Sequence, residues 1–157
     1  MIVILDNILT VNECNKLINI YENNKDKSHS WGNPKFYPLN FNFIKNKFTL
    51  NILNKIEFIA QMCNENIIID WAEIVKWNSD SYMNPHIDNT SEKTILTSII
   101  YLNDNYNGGE TYLTEGTKIA KKIGRMVIFD GKKYEHGVNK ILNNSRYTLP
   151  IWYKFKV

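Results

Sequence analysis

Three side chains could do chemistry together in this sequence: His86, Asp88 and His136. Pro85-His86-Ile87-Asp88 is an H-x-D element, and in an extended segment side chains two positions apart leave the backbone on the same side. An imidazole and a carboxylate can therefore meet one ion. His136 lies much further along the chain, and a sheet that folds back between the two segments can bring it to the same point. Two histidines and one carboxylate on one face of an octahedron form the facial triad of mononuclear non-haem Fe(II) sites, which leaves the remaining positions open. H-x-D alone also occurs in many chains as a surface loop pair, and a lone histidine is more often structural. The surroundings give these three their weight.

Arg146 opens the run Arg146-Tyr147-Thr148-Leu149-Pro150-Ile151-Trp152-Tyr153. A guanidinium is a planar fork of donors that fits a carboxylate bidentately, as the far end of a dicarboxylate pocket requires. By itself it reads equally as a strand-end arginine in a surface ion pair. His29 sits in a polar loop and is expected to face solvent. Cys14 and Cys63 have no CxxC partner and lie on separate predicted helices, so they read as buried structural thiols rather than zinc ligands or a disulfide framework.

The elements that must position these groups follow from patterning. A chain of 157 residues, 43% hydrophobic and 13% aromatic, is sized for one compact domain, taken here as 1–157. Ile2 to Leu5 reads as a short strand, and a T-x-x-E capping box at Thr10 and Glu13 starts a helix whose Val11, Cys14, Leu17, Ile18 and Tyr21 share one stripe. A second helix is predicted from about Lys47 to Asn64. From Ile67 onward the texture changes to short β-branched and aromatic runs. Strands are predicted near Ile68 to Trp77, Thr94 to Leu102, Glu110 to Thr114, Arg125 to Phe129 and Tyr147 to Phe155, with an extended piece at His136 to Val138. Gly108-Gly109 reads as a tight hairpin turn. Helices first and strands after them point to an α+β, mainly β domain, with helices covering one face of an antiparallel sheet or sandwich.

The formal charge of +3 comes from scattered lysines, with groupings at Lys118, Lys121, Lys122 and Arg125 and at Lys132 and Lys133, and gives no evidence for a nucleic-acid partner. No apolar run reaches the roughly 18 residues of a membrane span, and the opening Met1 to Asp6 lacks the basic region and longer apolar run of a signal peptide. A soluble, cytoplasmic protein without a membrane partner is expected.

Taken in order, Pro85-His86-Ile87-Asp88, Ser98-Ile99-Ile100-Tyr101-Leu102-Asn103, Gly108-Gly109-Glu110-Thr111, Arg125-Met126-Val127-Ile128-Phe129, Glu135-His136-Gly137-Val138 and Ser145-Arg146-Tyr147 resemble the prolyl 4-hydroxylase-like branch of the Fe(II)/2-oxoglutarate-dependent oxygenases. The hypoxia-sensing prolyl hydroxylases belong to that branch. Arg146 looks closer to them than to the collagen type, which places lysine there. The resemblance implies a double-stranded β-helix, or jelly-roll, with N-terminal supporting helices and a metal at its mouth. It implies Fe(II) held by His86, Asp88 and His136, with no catalytic residue beyond these ligands. It further implies 2-oxoglutarate and dioxygen as co-substrates, with Arg146 pairing the distal carboxylate and Tyr101 hydrogen-bonding it. By family analogy ascorbate joins the cofactors. Trp152, in an R-x-x-x-x-x-W position, looks like the family's pocket-wall tryptophan. Trp77 stands where many relatives have a tyrosine that contacts 2-oxoglutarate; an indole N–H donates but cannot accept, so contact with the co-substrate and simple packing are weighed equally.

The presence of Asp88 favours hydroxylation over halogenation, since halogenating relatives lack the carboxylate. The substrate implied by analogy is a prolyl residue of a peptide or protein. Alternatives are a non-prolyl substrate such as another amino acid or a nucleobase, a non-catalytic jelly-roll that binds a ligand, and a cupin-type jelly-roll using Zn or Mn. Cupins usually carry more histidines at the site.

Overall fold

The protein is described by a computed structural model over residues 1–88 and 92–157. Strand β1 (Ile2–Leu5) leads into helix α1 (Val11–Asn23), where Glu13 N donates to Thr10 Oγ1 at 3.1 Å and Thr10 N donates to Glu13 Oε2 at 2.8 Å. Strand β2 (Tyr37–Asn40) precedes helix α2 (Lys47–Gln61), which Asn46 and Thr49 cap in the same reciprocal manner. It ends short of Asn64. Isolated helices of this length are marginal in water. They persist here because Cys14, Leu17 and Tyr21 on α1 and Ile52, Ile56 and Ala60 on α2 are buried, each large apolar side chain contributing about 1.5–3 kcal/mol.

The remaining strands are β3 (Ile67–Trp77), β4 (Met83–His86), β5 (Thr94–Tyr101), β6 (Asn107–Gly108), β7 (Thr111–Leu113), β8 (Lys118–Ile119), β9 (Met126–Phe129), β10 (His136–Val138), β11 (Ile141–Asn143) and β12 (Arg146–Phe155). They form an antiparallel six-stranded sheet in the order β1-β9-β5-β12-β3-β2, a four-stranded sheet β4-β10-β7-β8, and a pair β11-β6. Helices cover one face of an all-antiparallel β framework, the jelly-roll implied by the sequence.

Alternation divides the large sheet into two faces. Ala72 and Ile74 of β3, Ile100 of β5, Met126 and Ile128 of β9, and Leu149, Ile151 and Tyr153 of β12 join the helices in the main core. Their neighbours one position away, including Ile99, Tyr101, Val127 and Phe129, turn to the opposite face and build a second core. The small sheet closes over that second face, and the chemistry sits between the two sheets.

Two local features depart from the expectations. Gly108-Gly109 is no hairpin turn: β6 and β7 run on as one bent strand, because β6 pairs with β11 while β7 pairs with β10. Both glycines have positive φ, 69° and 67°, and a Cβ on Gly108 would collide with the Lys140 carbonyl, so the pair makes a kink that lets the ladder turn a corner. Strand β2 lay hidden in the sequence because Pro38 weakens any strand pattern; it is tolerated on this sheet edge. Cys14 is buried, its thiol pushed up to about 11 by burial, and Cys63 is half-buried just past α2; both are free. Among the described residues no helix is long and apolar enough to cross a membrane.

Candidate active site

Strand pairing brings the H-x-D element to His136. His136 of β10 sits opposite His86 at the end of β4, with ring centroids 4.4 Å apart. Asp88, two residues beyond β4, is held by its N–H donating to the Gly131 carbonyl at 2.8 Å and by its Oδ2 accepting from Thr97 Oγ1 at 2.5 Å. Its other oxygen, Oδ1, lies 3.8 Å from His86 Nε2 and 3.7 Å from His136 Nε2. The three ligand atoms fall within 4.8 Å of one another, close enough to hold one ion.

The histidine tautomers follow from their partners. His86 Nδ1 faces the Asn84 carbonyl at 3.1 Å and His136 Nδ1 faces the Tyr134 carbonyl at 3.0 Å. A carbonyl only accepts, so each Nδ1 donates and each Nε2 turns its lone pair toward the Asp88 oxygen and any ion between them. Burial lowers the pKa of His136, which favours the neutral, ligating imidazole even though the Asp88 charge works the other way. Phe129 packs its ring against that of His136 at 4.7 Å and fixes its orientation. Gly131 sits so close to Asp88 and Thr97 that a side chain there has no room.

A second cluster lies deeper between the sheets. Arg146 is 1% exposed at the start of β12; its Nη2 donates to Thr111 Oγ1 at 3.0 Å, while its Nε is buried with no partner. The guanidinium lies 5.1 Å from the Trp77 ring and 5.5 Å from the Tyr101 ring. The hydroxyls of Tyr101 and Tyr106 are also buried without partners. Gly109 makes this crowding feasible, since a Cβ there would stand 3.1 Å from Tyr106 and 3.3 Å from Arg146. Burial pushes the Tyr106 phenol up to about 12 against the nearby Arg146 charge, so it stays a hydrogen-bond donor.

Each buried donor left unsatisfied costs about 1–3 kcal/mol. Three of them lie in the neighbourhood of Arg146, where an anionic acceptor would satisfy them. Thr111, bonded to Arg146, is two residues along β7 from Leu113, the register partner of His136, so one strand step of about 7 Å separates the two clusters. A short dicarboxylate is long enough to span such a gap, and Arg146 would suit its far end. The residues present therefore suit both Fe(II) and 2-oxoglutarate.

The other sequence candidates lie close by in different roles. Trp77 donates its indole N–H to Thr148 Oγ1 at 3.2 Å and stacks on Phe36 at 4.3 Å, so its one donor is engaged within the protein and its ring face supports Arg146. Trp152 pairs in register with Thr97, which places it on the site face, half-buried with its Nε1 unpartnered. His29 is exposed in its loop. Sequence reading missed Thr97, Thr111, Gly131 and Tyr106. A tyrosine two residues before a Gly-Gly kink carries no signature by type or spacing; only the folded arrangement aims it at Arg146.

Comparison with known proteins agrees with this geometry. Residues 72–154, more than half of the chain, match the family model described as the 2OG-Fe(II) oxygenase superfamily. A search of curated proteins finds no match. Among solved structures, the viral collagen prolyl hydroxylase of Paramecium Bursaria Chlorella virus-1, in its 2OG complex, is 18% identical with a TM-score of 0.76, covering 99% of this chain and 96% of its own. A Trichoplax adhaerens prolyl hydroxylase in complex with a hypoxia inducible factor peptide fragment is 17% identical with a TM-score of 0.79, covering 98% and 83%. The non-heme alpha ketoglutarate dependent epimerase SnoN from nogalamycin biosynthesis is 13% identical with a TM-score of 0.78, covering 98% and 77%. At these identities the likenesses establish the fold, while the family model establishes membership: this chain belongs to the 2OG-Fe(II) oxygenase superfamily.

Proposed function

We propose that this Fe(II)- and 2-oxoglutarate-dependent dioxygenase hydroxylates a prolyl residue of a peptide or protein, in a single domain spanning residues 1–157. His86, Asp88 and His136 hold the iron, and Arg146, Tyr101 and Tyr106 hold the distal carboxylate of 2-oxoglutarate. The observation that carries the site assignment is the two-residue step between the ligand triad and the three orphaned donors. The prolyl substrate draws on the two prolyl hydroxylases among the structural relatives.

With iron and 2-oxoglutarate bound, the cofactor set supplies dioxygen-dependent oxidation of an unactivated C–H bond, coupled to decarboxylation of 2-oxoglutarate to succinate. The protein contributes position and electrostatics. Thr97 and Gly131 fix the Asp88 carboxylate, and the Asn84 and Tyr134 carbonyls aim the two imidazoles. Trp77 and Thr111 clamp Arg146 from its face and edge, and apolar Ile99, Ile119 and Val127 pack with Tyr101 and Phe129 in the core of the site face. Half-buried Trp152 forms the wall on the substrate side.

The test is succinate production with a panel of proline-containing peptides, free amino acids and nucleosides. Peptide-dependent succinate and a hydroxylated proline by mass spectrometry are expected. His136→Ala should abolish iron-dependent turnover, whereas Arg146→Ala should mainly raise the 2-oxoglutarate concentration required. Absence of both succinate and the weak visible charge-transfer band of anaerobic Fe(II) plus 2-oxoglutarate would falsify the enzyme assignment for this site. An oxygenase acting on a non-prolyl substrate is the second reading, favoured by the likeness to an epimerase, and the same panel decides between them.

A further inference from the structure

Among the described residues, Glu73 is an ionisable side chain of the site face that the iron and co-substrate assignments do not use. Glu73 lies on β3 between Trp71 and Val75, and strand alternation turns it to the same side as Val75 and Trp77, away from Ala72 and Ile74 in the helix-side core. It pairs in register with Asn40 at the sheet edge and is half-buried. Among the described residues no lysine or arginine forms an ion pair with it; its polar neighbours are the Trp71 indole and His29. Burial raises the pKa of the carboxyl against both of those groups. A carboxylate kept in such a place gains from an arriving cation.

The neighbouring side chains suit a cation as well. Trp71 and Trp152 are register partners on β3 and β12, so both side chains leave the sheet on this face. Trp71 is 45% exposed, and Trp152 is half-buried. Aromatic faces beside a carboxylate attract ammonium and guanidinium groups. The location limits which nitrogen can arrive. Strand β12 separates β3 from β5, and Thr97, beneath Asp88, lies one two-residue step beyond the level of Glu73. Two strand spacings and that step put the two backbones roughly 12 Å apart. A basic residue flanking the oxidised one fits that separation better than the oxidised residue itself.

Resting on the prolyl-peptide reading above, we propose that Glu73, flanked by Trp71 and Trp152, receives the lysine or arginine side chain of a residue next to the target proline. The substrate class is thus a basic proline-containing peptide.

The experiment uses the full chain loaded anaerobically with Fe(II) and 2-oxoglutarate, and follows tryptophan fluorescence while blocked Gly-Lys-Pro-Gly, Gly-Arg-Pro-Gly, Gly-Gln-Pro-Gly or Gly-Glu-Pro-Gly is added. The lysine and arginine peptides should bind about tenfold more tightly than the glutamine peptide, the scale of one charge-assisted contact. Glu73→Gln should remove that advantage while leaving the glutamine peptide unchanged, Glu73→Asp should keep most of it, and Glu73→Lys should shift preference to the glutamate peptide. No binding of the basic peptides, equal binding of all four, or a Glu73→Gln loss shared by basic and neutral peptides overturns the subsite. Free lysine or arginine binding as tightly as the peptides overturns the peptide source. Succinate measured after air is admitted separates the two levels of the argument. Glu73-dependent binding without peptide-dependent succinate refutes the prolyl reading and leaves the subsite standing, whereas succinate that ignores peptide charge does the reverse.

Discussion

Gly131→Ala probes the metal site through a residue that is not itself a ligand. Its φ lies outside the left-handed region, so the backbone accepts alanine. The new Cβ would stand 2.5 Å from Thr97 Oγ1 and 2.9 Å from Asp88 Cγ, with Asp88 Oδ2 nearer still, whereas ordinary contact begins at 3.4 Å. The carboxylate must retreat by about 1 Å, while metal–ligand distances tolerate only about 0.2 Å. Changes to groups that merely orient ligands cost about 10–100-fold in metal affinity. Displacing the ligand itself should reach the upper end, about 100-fold or roughly 2.7 kcal/mol. Overpacking adds about 1–3 kcal/mol of destabilisation, which thermal melting of the metal-free protein measures separately. Anaerobic titration calorimetry with Fe(II), repeated with Mn(II) as a redox-inert probe, reads the affinity. Wild-type affinity in a folded Gly131→Ala protein would mean that Asp88 is not a ligand in the position described here, and the triad assignment would fall with it.

Tyr106→Phe removes one buried hydroxyl and no volume from the core. It should weaken 2-oxoglutarate binding by about tenfold or more, the value of a hydrogen bond to a charged group, and leave metal affinity unchanged; unchanged 2-oxoglutarate affinity by calorimetry would take Tyr106 out of the pocket. Glu22 ties α1 to the sheet, with Oε1 2.7 Å from Lys76 Nζ and accepting from the Tyr147 hydroxyl. Partial burial works to raise its pKa, but Lys76 and Tyr147 hold it below the usual 4.5. Its stabilisation is therefore complete above pH 4.5 and is lost as pH falls through the lower folded value. Glu22→Gln should cost about 1 kcal/mol or less at pH 7, and the gap to wild type should close on acidification. A gap that stays constant between pH 7 and pH 3 in urea titrations would contradict this linkage.

What the sequence disclosed, and what it concealed, depended on the range of the interactions involved. Thr10 and Glu13 announce a helix because a capping box is local chemistry, and the cap forms at those residues. Strands β3, β5 and β12 show their β-branched and aromatic texture in any register, so their bounds are legible to within a residue or so. His86 and Asp88 are two positions apart, a spacing that suggests convergence, while the Gly131 carbonyl and Thr97 hold Asp88 in place beyond the end of β4. Glu73 and Tyr106 raised no comparable signal, since their meaning comes from Trp152 and Arg146, which lie far away along the chain. Gly108-Gly109 misled for a related reason. The dipeptide reports a sharp change of direction, but whether the strand then doubles back or bends onward depends on β10 and β11, which supply its partners.

Strand β12 carries Arg146, Thr148 and Trp152 toward the cofactor pocket and Leu149, Ile151 and Tyr153 toward the helices in alternate positions. The same ten residues thus line the candidate site on one face and form a keel for the core on the other. A single-residue insertion or deletion within them would send the arginine or its followers into the oily side and swing leucine, isoleucine and tyrosine out over the metal. Such a change would strike folding and chemistry at one stroke. Lineages of this protein can therefore vary its strand-connecting loops in length far more freely than they can vary this strand, whose length is set as a matter of parity.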